Sequence, residues 1–218
     1  MPDRMSRLLC LFLFFICFST PALLYAETTV LMLGDSLTEG TGVEQTKAYP
    51  YLVEQKLKAQ GFLAIQVING GVSGSTTASA LSRLTWYLRE RPDILLLALG
   101  ANDGLRGLPT VQIKHNLAET IELALSKEIR VVLAGMKMPP NYGEDYTLKF
   151  EKVFHELAKE YGITFIPFLL EGVAGDPKLN LPDGIHPNEP GHQIIAQLVY
   201  ETLVKLVKTP PSPYKPPF

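Results

Sequence analysis

The feature that most constrains the fold is an alternation of short β-rich segments with longer amphipathic ones, which runs from residue 28 to residue 208. This alternation indicates a parallel sheet, because two parallel strands need a crossover connection of a dozen or more residues, usually a helix. Three of the β-rich segments are almost unbroken apolar runs, which is typical of strands covered on both faces. The predicted strands are Thr28–Leu33, Ala64–Asn69, Ile94–Leu99, Arg130–Gly135 and Thr164–Ile166.

The segments between the strands have the length and the apolar spacing of helices. Glycine follows two of them directly, at positions 61 and 162, where helices commonly end. The sequence therefore predicts an α/β fold of five strand and helix units. The predicted helices are Tyr49–Gln60, Thr76–Arg89, Val111–Lys127, Tyr146–Tyr161 and Glu189–Lys208.

The first 26 residues have the composition of an export signal. Arg4 and Arg7 precede an apolar run over residues 8–18, and small residues lead to Ala26. An uncleaved membrane anchor is the alternative, but such an anchor needs about 20 apolar residues. We expect cleavage after Ala26 and a secreted protein, with the periplasm as its compartment and no stable membrane insertion after cleavage.

The remainder of the chain is long enough for one catalytic domain, expected over residues 27–208. Both cysteines, Cys10 and Cys17, lie in the expected signal, which excludes disulfides and a cysteine nucleophile from the exported protein. The proline-rich residues 209–218 are expected to form a flexible, extended tail. A formal net charge of −2 without a basic face argues against a nucleic-acid partner, and we expect a monomer.

A serine stands directly after the first predicted strand, in the sequence Gly34-Asp35-Ser36-Leu37. Ligands of parallel α/β sheets bind at the carboxyl ends of the strands, and a hydroxyl there is exposed as a nucleophile must be. Glycine, aspartate and serine are also common in ordinary turns, which is the alternative interpretation. The position after the first strand favours a nucleophile.

Asp183 and His186 lie in the loop before the last predicted helix. An aspartate three residues before a histidine can hold its carboxylate against one ring nitrogen while the other nitrogen faces the site, as a catalytic base requires. Taken alone, such a pair more often belongs to a structural loop with a solvated histidine. The presence of Ser36 favours the catalytic interpretation.

Two further loops that follow strands contain hydrogen-bond donors, residues 70–75 and residues 100–104. Acyl transfer passes through an oxyanion, and backbone N–H groups or an asparagine side chain can stabilise it. Phosphate binding is the alternative for the first loop, but its glycines match neither common phosphate-binding pattern. For the second loop the alternative is a plain turn. Asp35 and Asp103 are expected to make structural hydrogen bonds within these segments.

Gly34-Asp-Ser-Leu37, Gly74, Gly100-Ala-Asn-Asp103 and Asp183-Gly-Ile-His186 occur in the order and the strand contexts of the SGNH (GDSL) hydrolase family. The chain resembles that family over nearly all of residues 27–218. Within the family, several of its motifs are similar to those of bacterial thioesterases that also act as lysophospholipases and arylesterases. These motifs are residues 34–40, 102–107 and 183–188.

The resemblance implies a three-layer α/β/α sandwich around a doubly wound, flavodoxin-like parallel sheet. It also implies Ser36 as nucleophile, His186 as base and Asp183 as the residue that orients the base. The implied oxyanion donors are the backbone N–H groups of Ser36 and Gly74 and the side chain of Asn102. No metal and no organic cofactor is implied.

The loops at the expected site are rich in apolar side chains, which suit an acyl group. We expect a small-molecule acyl ester, thioester or lysophospholipid as substrate. A carbohydrate O-acetyl esterase and a non-catalytic binding module with the same fold remain alternatives. The side chains expected to contact the acyl group are Leu105, Leu108, Met138, Tyr142 and Ile185.

Overall fold

The computed structural model describes residues 28–209. The predicted export signal lies outside this range, and so does the predicted tail apart from Thr209. Five parallel strands form one sheet in the order β2-β1-β3-β4-β5. This is the strand order of doubly wound, flavodoxin-like sheets, which confirms the predicted fold class. The strands are β1 (Thr28–Gly34), β2 (Ile65–Gly71), β3 (Ile94–Ala98), β4 (Arg130–Ala134) and β5 (Thr164–Ile166).

The central strands are apolar because helices cover both faces of the sheet. All five residues of β3 are buried, among them Leu95, Leu96 and Leu97. Full burial of such a side chain contributes roughly 1.5–3 kcal/mol relative to its exposure. The edge strand β2 exposes Gln66 and Asn69 instead. The buried strands therefore fix the sheet in the centre of the molecule.

The helices lie in two layers, one on each face of the sheet. α2 packs against α7, while α3 packs against α5, and α5 against α6. Because the chain reverses direction across the sheet after β2, right-handed crossovers place the second group on the opposite face. The helices are α1 (Ser36–Glu39), α2 (Tyr49–Ala59), α3 (Ala80–Tyr87), α4 (Ala101–Leu105), α5 (Thr110–Ser126), α6 (Glu144–Tyr161) and α7 (Glu189–Lys208).

The predicted elements are all present, and their ends differ by a few residues. The helix predicted over Thr76–Arg89 consists of α3 flanked by 3₁₀ turns at Thr77–Ser79 and Leu88–Glu90. α1 and α4 were not predicted, since segments of four and five residues are too short to show a helical period. Within residues 28–209, no helix combines the length and the apolarity that a membrane span requires.

Two glycines allow α1 to lie against the ends of β1 and β2. A Cβ atom on Gly34 would overlap the Thr38 hydroxyl, and one on Gly71 would overlap the backbone of Glu39. These close approaches place the first turn of α1 at the carboxyl edge of the sheet. The serine that begins α1 is held at that edge.

Candidate active site

Ser36 is the first residue of α1 and is buried except for 8% of its surface. Asp35 caps this helix, because its Oδ1 accepts a hydrogen bond of 3.0 Å from the Leu37 backbone N–H. The cap fixes the turn between β1 and α1. The Ser36 side chain therefore has a defined position at the carboxyl end of a central strand.

Arg83 supports the same turn from α3. Its guanidinium donates a hydrogen bond of 3.0 Å to the carbonyl of Gly34, and a second one to the carbonyl of Gly70. The side chain is partly buried. Arg83 thereby connects the end of β1, two residues before Ser36, with the end of β2.

His186 lies between Ser36 and Asp183. Its Nε2 is 3.0 Å from Ser36 Oγ, and its Nδ1 is 2.8 Å from Asp183 Oδ2. The other carboxylate oxygen of Asp183 accepts the backbone N–H groups of Ile185 and His186, each at 3.0 Å. A histidine held in this way can accept a proton from the hydroxyl while the carboxylate keeps the ring in one orientation.

The hydrogen bond from His186 lowers the pKa of Asp183 to about 2, with further contributions from the two backbone N–H groups. The Asp183 side chain is 46% exposed, and that of His186 is 20% exposed. Asp183 is therefore a carboxylate at neutral pH. Its negative charge can offset a positive charge that develops on the imidazole ring.

The side chain of Asn102 points its amide toward the turn of Ser36. Its Nδ2 donates to the carbonyl of Ser75 at 3.1 Å and to Asp35 Oδ2 at 3.3 Å. Burial raises the pKa of Asp35 to about 6, although hydrogen bonds from Leu37 and Asn102 act in the opposite direction. The loop after β2 and the loop after β3 thus meet at the nucleophile turn.

A second carboxylate joins these two loops. Asp103 is buried, and its oxygens accept the hydroxyl of Thr77 at 2.6 Å and the backbone N–H of Thr77 at 2.9 Å. Asn116 in turn donates to the Thr77 hydroxyl at 2.9 Å. The structural hydrogen bonds expected for Asp35 and Asp103 are confirmed.

Ser36, Gly74, Asn102 and His186 share one pocket of about 560 Å³. Of the five side chains expected to contact an acyl group, Leu105, Met138 and Ile185 line the pocket. Leu108 and Tyr142 do not. Both residues form hydrogen bonds close to the lining residue Leu105. The Tyr142 hydroxyl donates to the carbonyl of Leu105, and the Leu108 carbonyl accepts from the Tyr146 hydroxyl. The pocket has further apolar walls from Leu37, Pro139, Pro140, Phe168, Leu170 and Ala174.

Comparisons with known proteins show the family of this chain. Residues 32–194 match the model of the GDSL-like lipase/acylhydrolase family. The chain belongs to this family. It is 40% identical over 202 residues to an arylesterase of Vibrio mimicus, covering 92% of this chain and 99% of that protein.

Two further relatives place this GDSL hydrolase among esterases. It is 33% identical over 183 residues to the thioesterase 1/protease 1/lysophospholipase L1 of Escherichia coli K12, covering 84% of this chain and 86% of that protein. A crystal structure of TesA superimposes with a TM-score of 0.79 at 34% identity, covering 82% of this chain and 99% of that one. The chain is accordingly a hydrolase of ester bonds.

Two relationships in this GDSL hydrolase could not be read from its sequence. Arg83 stands on an amphipathic helix, where an arginine is an ordinary surface residue, and nothing in its surroundings along the chain points to Gly34 or Gly70. The link between Asp35 and Asn102 joins residues 67 positions apart.

Among residues 28–209, no cluster of three or more histidine, cysteine or acidic side chains is arranged to hold a metal ion.

Proposed function

We propose that the chain is an exported serine hydrolase that cleaves acyl esters and thioesters through Ser36, His186 and Asp183, with an acyl-enzyme intermediate. The observation that carries this proposal is the position of the His186 ring, 3.0 Å from Ser36 Oγ and 2.8 Å from Asp183 Oδ2. Ser36 and His186 both line a pocket that has many apolar side chains. A nucleophile, its base and an acyl-binding surface are therefore adjacent.

In the first half of the proposed cycle, neutral His186 accepts the proton of Ser36 as Oγ attacks the acyl carbon. Asp183 holds the ring and offsets its positive charge. The new oxyanion accepts hydrogen bonds from the backbone N–H groups of Ser36 and Gly74. It also takes the place of the Ser75 carbonyl as a partner of Asn102 Nδ2, which donates to that carbonyl in the free enzyme.

In the second half, His186 protonates the leaving alcohol or thiol, and the carbon–oxygen or carbon–sulfur bond breaks. A water molecule then attacks the acyl-enzyme, His186 accepts its proton, and the acid product leaves as Ser36 regains its proton. Each proton passes through His186, whose ring is already within hydrogen-bond distance of Ser36 and Asp183.

The shape of the pocket supports an acyl group longer than acetyl. Its volume of about 560 Å³ exceeds what a two-carbon group fills, and the lining includes Met138, Phe168 and Leu170. The names of two relatives denote an arylesterase and a thioesterase/lysophospholipase, which supports these substrate classes. We infer that aryl esters, acyl thioesters and lysophospholipids are the substrates.

The test is hydrolysis of p-nitrophenyl esters from acetate to palmitate by the purified protein, with a Ser36→Ala variant as control. We expect activity to peak at medium or long chains and to be lost in the variant. A sharp preference for acetate would favour the carbohydrate O-acetyl esterase. Absence of any Ser36-dependent hydrolysis would favour the binding module.

The proposal includes export, with residues 1–26 as a cleaved signal, residues 27–208 as the catalytic domain and residues 209–218 as a tail. It also includes a monomeric state and the periplasm as compartment. Expression of the full chain in a Gram-negative host, followed by cell fractionation and mass measurement, tests export. We expect a product that begins at Glu27 in the periplasmic fraction, and one chain per particle by light scattering. An intact first segment in the membrane fraction would show an anchor instead.

A further inference from the structure

Arg106 is an exposed cation at the edge of the pocket. It follows α4 directly, and its Nη2 donates a hydrogen bond of 3.1 Å to the carbonyl of Gly74. Within residues 28–209 its guanidinium forms no ion pair with a carboxylate. A guanidinium has five N–H donors, so one carbonyl leaves most of them available to a ligand.

The other cation at the pocket is in a different situation. Lys137 Nζ lies 3.2 Å from Glu151 Oε1 and 5.4 Å from the centre of the Phe168 ring. The carboxylate of Glu151 therefore compensates the positive charge of Lys137, which stands among the apolar lining residues after β4. Arg106 therefore offers the uncompensated positive charge beside the site.

The pocket has two chemically different sides. Most of its apolar side chains follow β4 and β5, among them Met138, Phe168 and Leu170, while Leu37 follows β1 and Leu105 follows β3. The opposite side follows β2 and consists of Ser73 and Gly74, with Arg106 directly behind Gly74. The larger part of the apolar wall that an acyl chain can contact thus lies on the β4 and β5 side of Ser36.

The geometry of an ester then locates the leaving group. The acyl chain and the leaving atom diverge by about 120° from the trigonal carbonyl carbon, so a chain directed toward one side of the site directs the leaving group away from that side. With the chain along β4 and β5, the leaving group extends over the end of β2. It meets Arg106 there.

We propose that Arg106 binds the phosphate of an anionic leaving group and so selects phosphate-bearing esters and thioesters over neutral ones. This inference rests on the function proposed above, since it assigns a subsite to the same reaction. Arginine suits the role because its planar fork matches two phosphate oxygens at once. Glu39 is the carboxylate that is hydrogen-bonded to this loop. Its Oε2 accepts from the Ser73 N–H and from the Thr41 hydroxyl, each at 3.1 Å.

The test uses pairs of substrates that differ only in the presence of phosphate. One pair is octanoyl-4'-phosphopantetheine and octanoyl-pantetheine, and the other is a lysophosphatidic acid and the monoacylglycerol with the same chain, each below its critical micelle concentration. We expect the full-length wild type to favour the phosphate-bearing member of at least one pair in kcat/KM. Arg106→Gln should lower that preference about tenfold, and Arg106→Lys should keep part of it.

The control is Lys127→Gln, which makes the same charge change at an exposed residue. Lys127 lies just before β4, at the amino ends of the strands and away from the site. It should leave the preference unchanged. A preference confined to the first pair identifies the pantetheine phosphate of coenzyme A as the ligand, and one confined to the second identifies the phosphate of a lipid headgroup. Equal loss for both members of each pair in Arg106→Gln, or no preference in the wild type, overturns the inference.

A binding experiment separates this inference from the proposed function. If no ester is hydrolysed, the proposed reaction fails, and the subsite is decided by calorimetric titration of coenzyme A into the wild type and Arg106→Gln. About tenfold weaker binding to the variant would support the subsite. Equal binding, or none to either protein, would overturn it.

Discussion

The carboxylate of Asp35 accepts a hydrogen bond of 3.3 Å from the side-chain amide of Asn102. This contact joins the turn that presents Ser36 to the loop after β3. It also orients the amide, whose other partner is the carbonyl of Ser75 at 3.1 Å. The nucleophile and a candidate oxyanion donor are thus positioned by one buried side chain.

Replacement of Asn102 tests the oxyanion donor. Asn102→Ala should lower kcat by about 10²–10³-fold with a small change in KM, because the lost hydrogen bond strengthens only as the oxyanion forms. Steady-state kinetics on a p-nitrophenyl ester measure both constants. Asn141→Ala, at an exposed residue, is the control. An increase in KM at unchanged kcat would show that Asn102 binds the ground state alone.

Replacement of Asp183 tests the residue that orients the base. Asp183→Asn should lower kcat by about 10³–10⁴-fold, because an amide neither fixes the required tautomer of His186 nor offsets its charge. Asp176→Asn is a matched control, since Asp176 also lies in an exposed turn and accepts a backbone N–H, that of Lys178 at 2.8 Å. Comparable losses in both variants would argue that loop folding, and not catalysis, depends on these carboxylates.

His192 predicts a pH dependence of stability. The ring is fully buried, its Nδ1 accepts the N–H of Tyr49 at 3.3 Å, and burial lowers its pKa from 6.5 to about 4. The unfolded chain therefore binds more protons than the folded one between these values, so the contribution of neutral His192 is complete above pH 6.5 and is lost as the pH falls to 4. We expect a loss of about 3 kcal/mol between pH 7 and pH 4.

Urea unfolding at several pH values checks this expectation as the difference between the wild type and His192→Gln. This difference cancels the contributions of other titrating groups to the pH dependence of stability. One of them is Asp35, whose raised pKa makes stability fall as the pH rises. In the variant, the part of the slope that arises from His192 should vanish. His155→Gln, at an exposed residue of α6, should behave like the wild type. A slope that is identical in all three proteins would contradict the prediction.

The apolar wall predicts a dependence on acyl length. Met138→Trp should fill part of the pocket and move the optimum toward shorter esters. Loss of contact with two or three methylene groups, at about 0.8 kcal/mol each, lowers the relative kcat/KM of long esters by about 10- to 50-fold. The p-nitrophenyl series measures this shift. Leu148→Trp, on the exposed face of α6, should leave the chain-length profile unchanged, and a shift there would remove the argument for the pocket.

The strands and long helices were predictable because their signals are local. An apolar run such as residues 94–98 can be satisfied only between two layers, and the glycine after Tyr161 ends α6 in a left-handed conformation that other residues rarely adopt. Likewise, Ser36 and Asn102 could be predicted at the site because each lies within a few residues of the end of a strand. The carboxyl ends of parallel strands meet at one edge, whatever the details of packing.

By itself, the sequence determined the fold class, the strands, and which polar residues stand at the carboxyl edge, since these depend on periodicity and on position along the chain. The tertiary structure alone decided the contact of His186 with Ser36 across 150 positions, the burial of His192 under Tyr49, and the exclusion of Leu108 and Tyr142 from the pocket wall. Such relationships depend on how separate segments pack. No local pattern carries that information, because the same side chain is compatible with a core, a rim or a surface until its neighbours are in place.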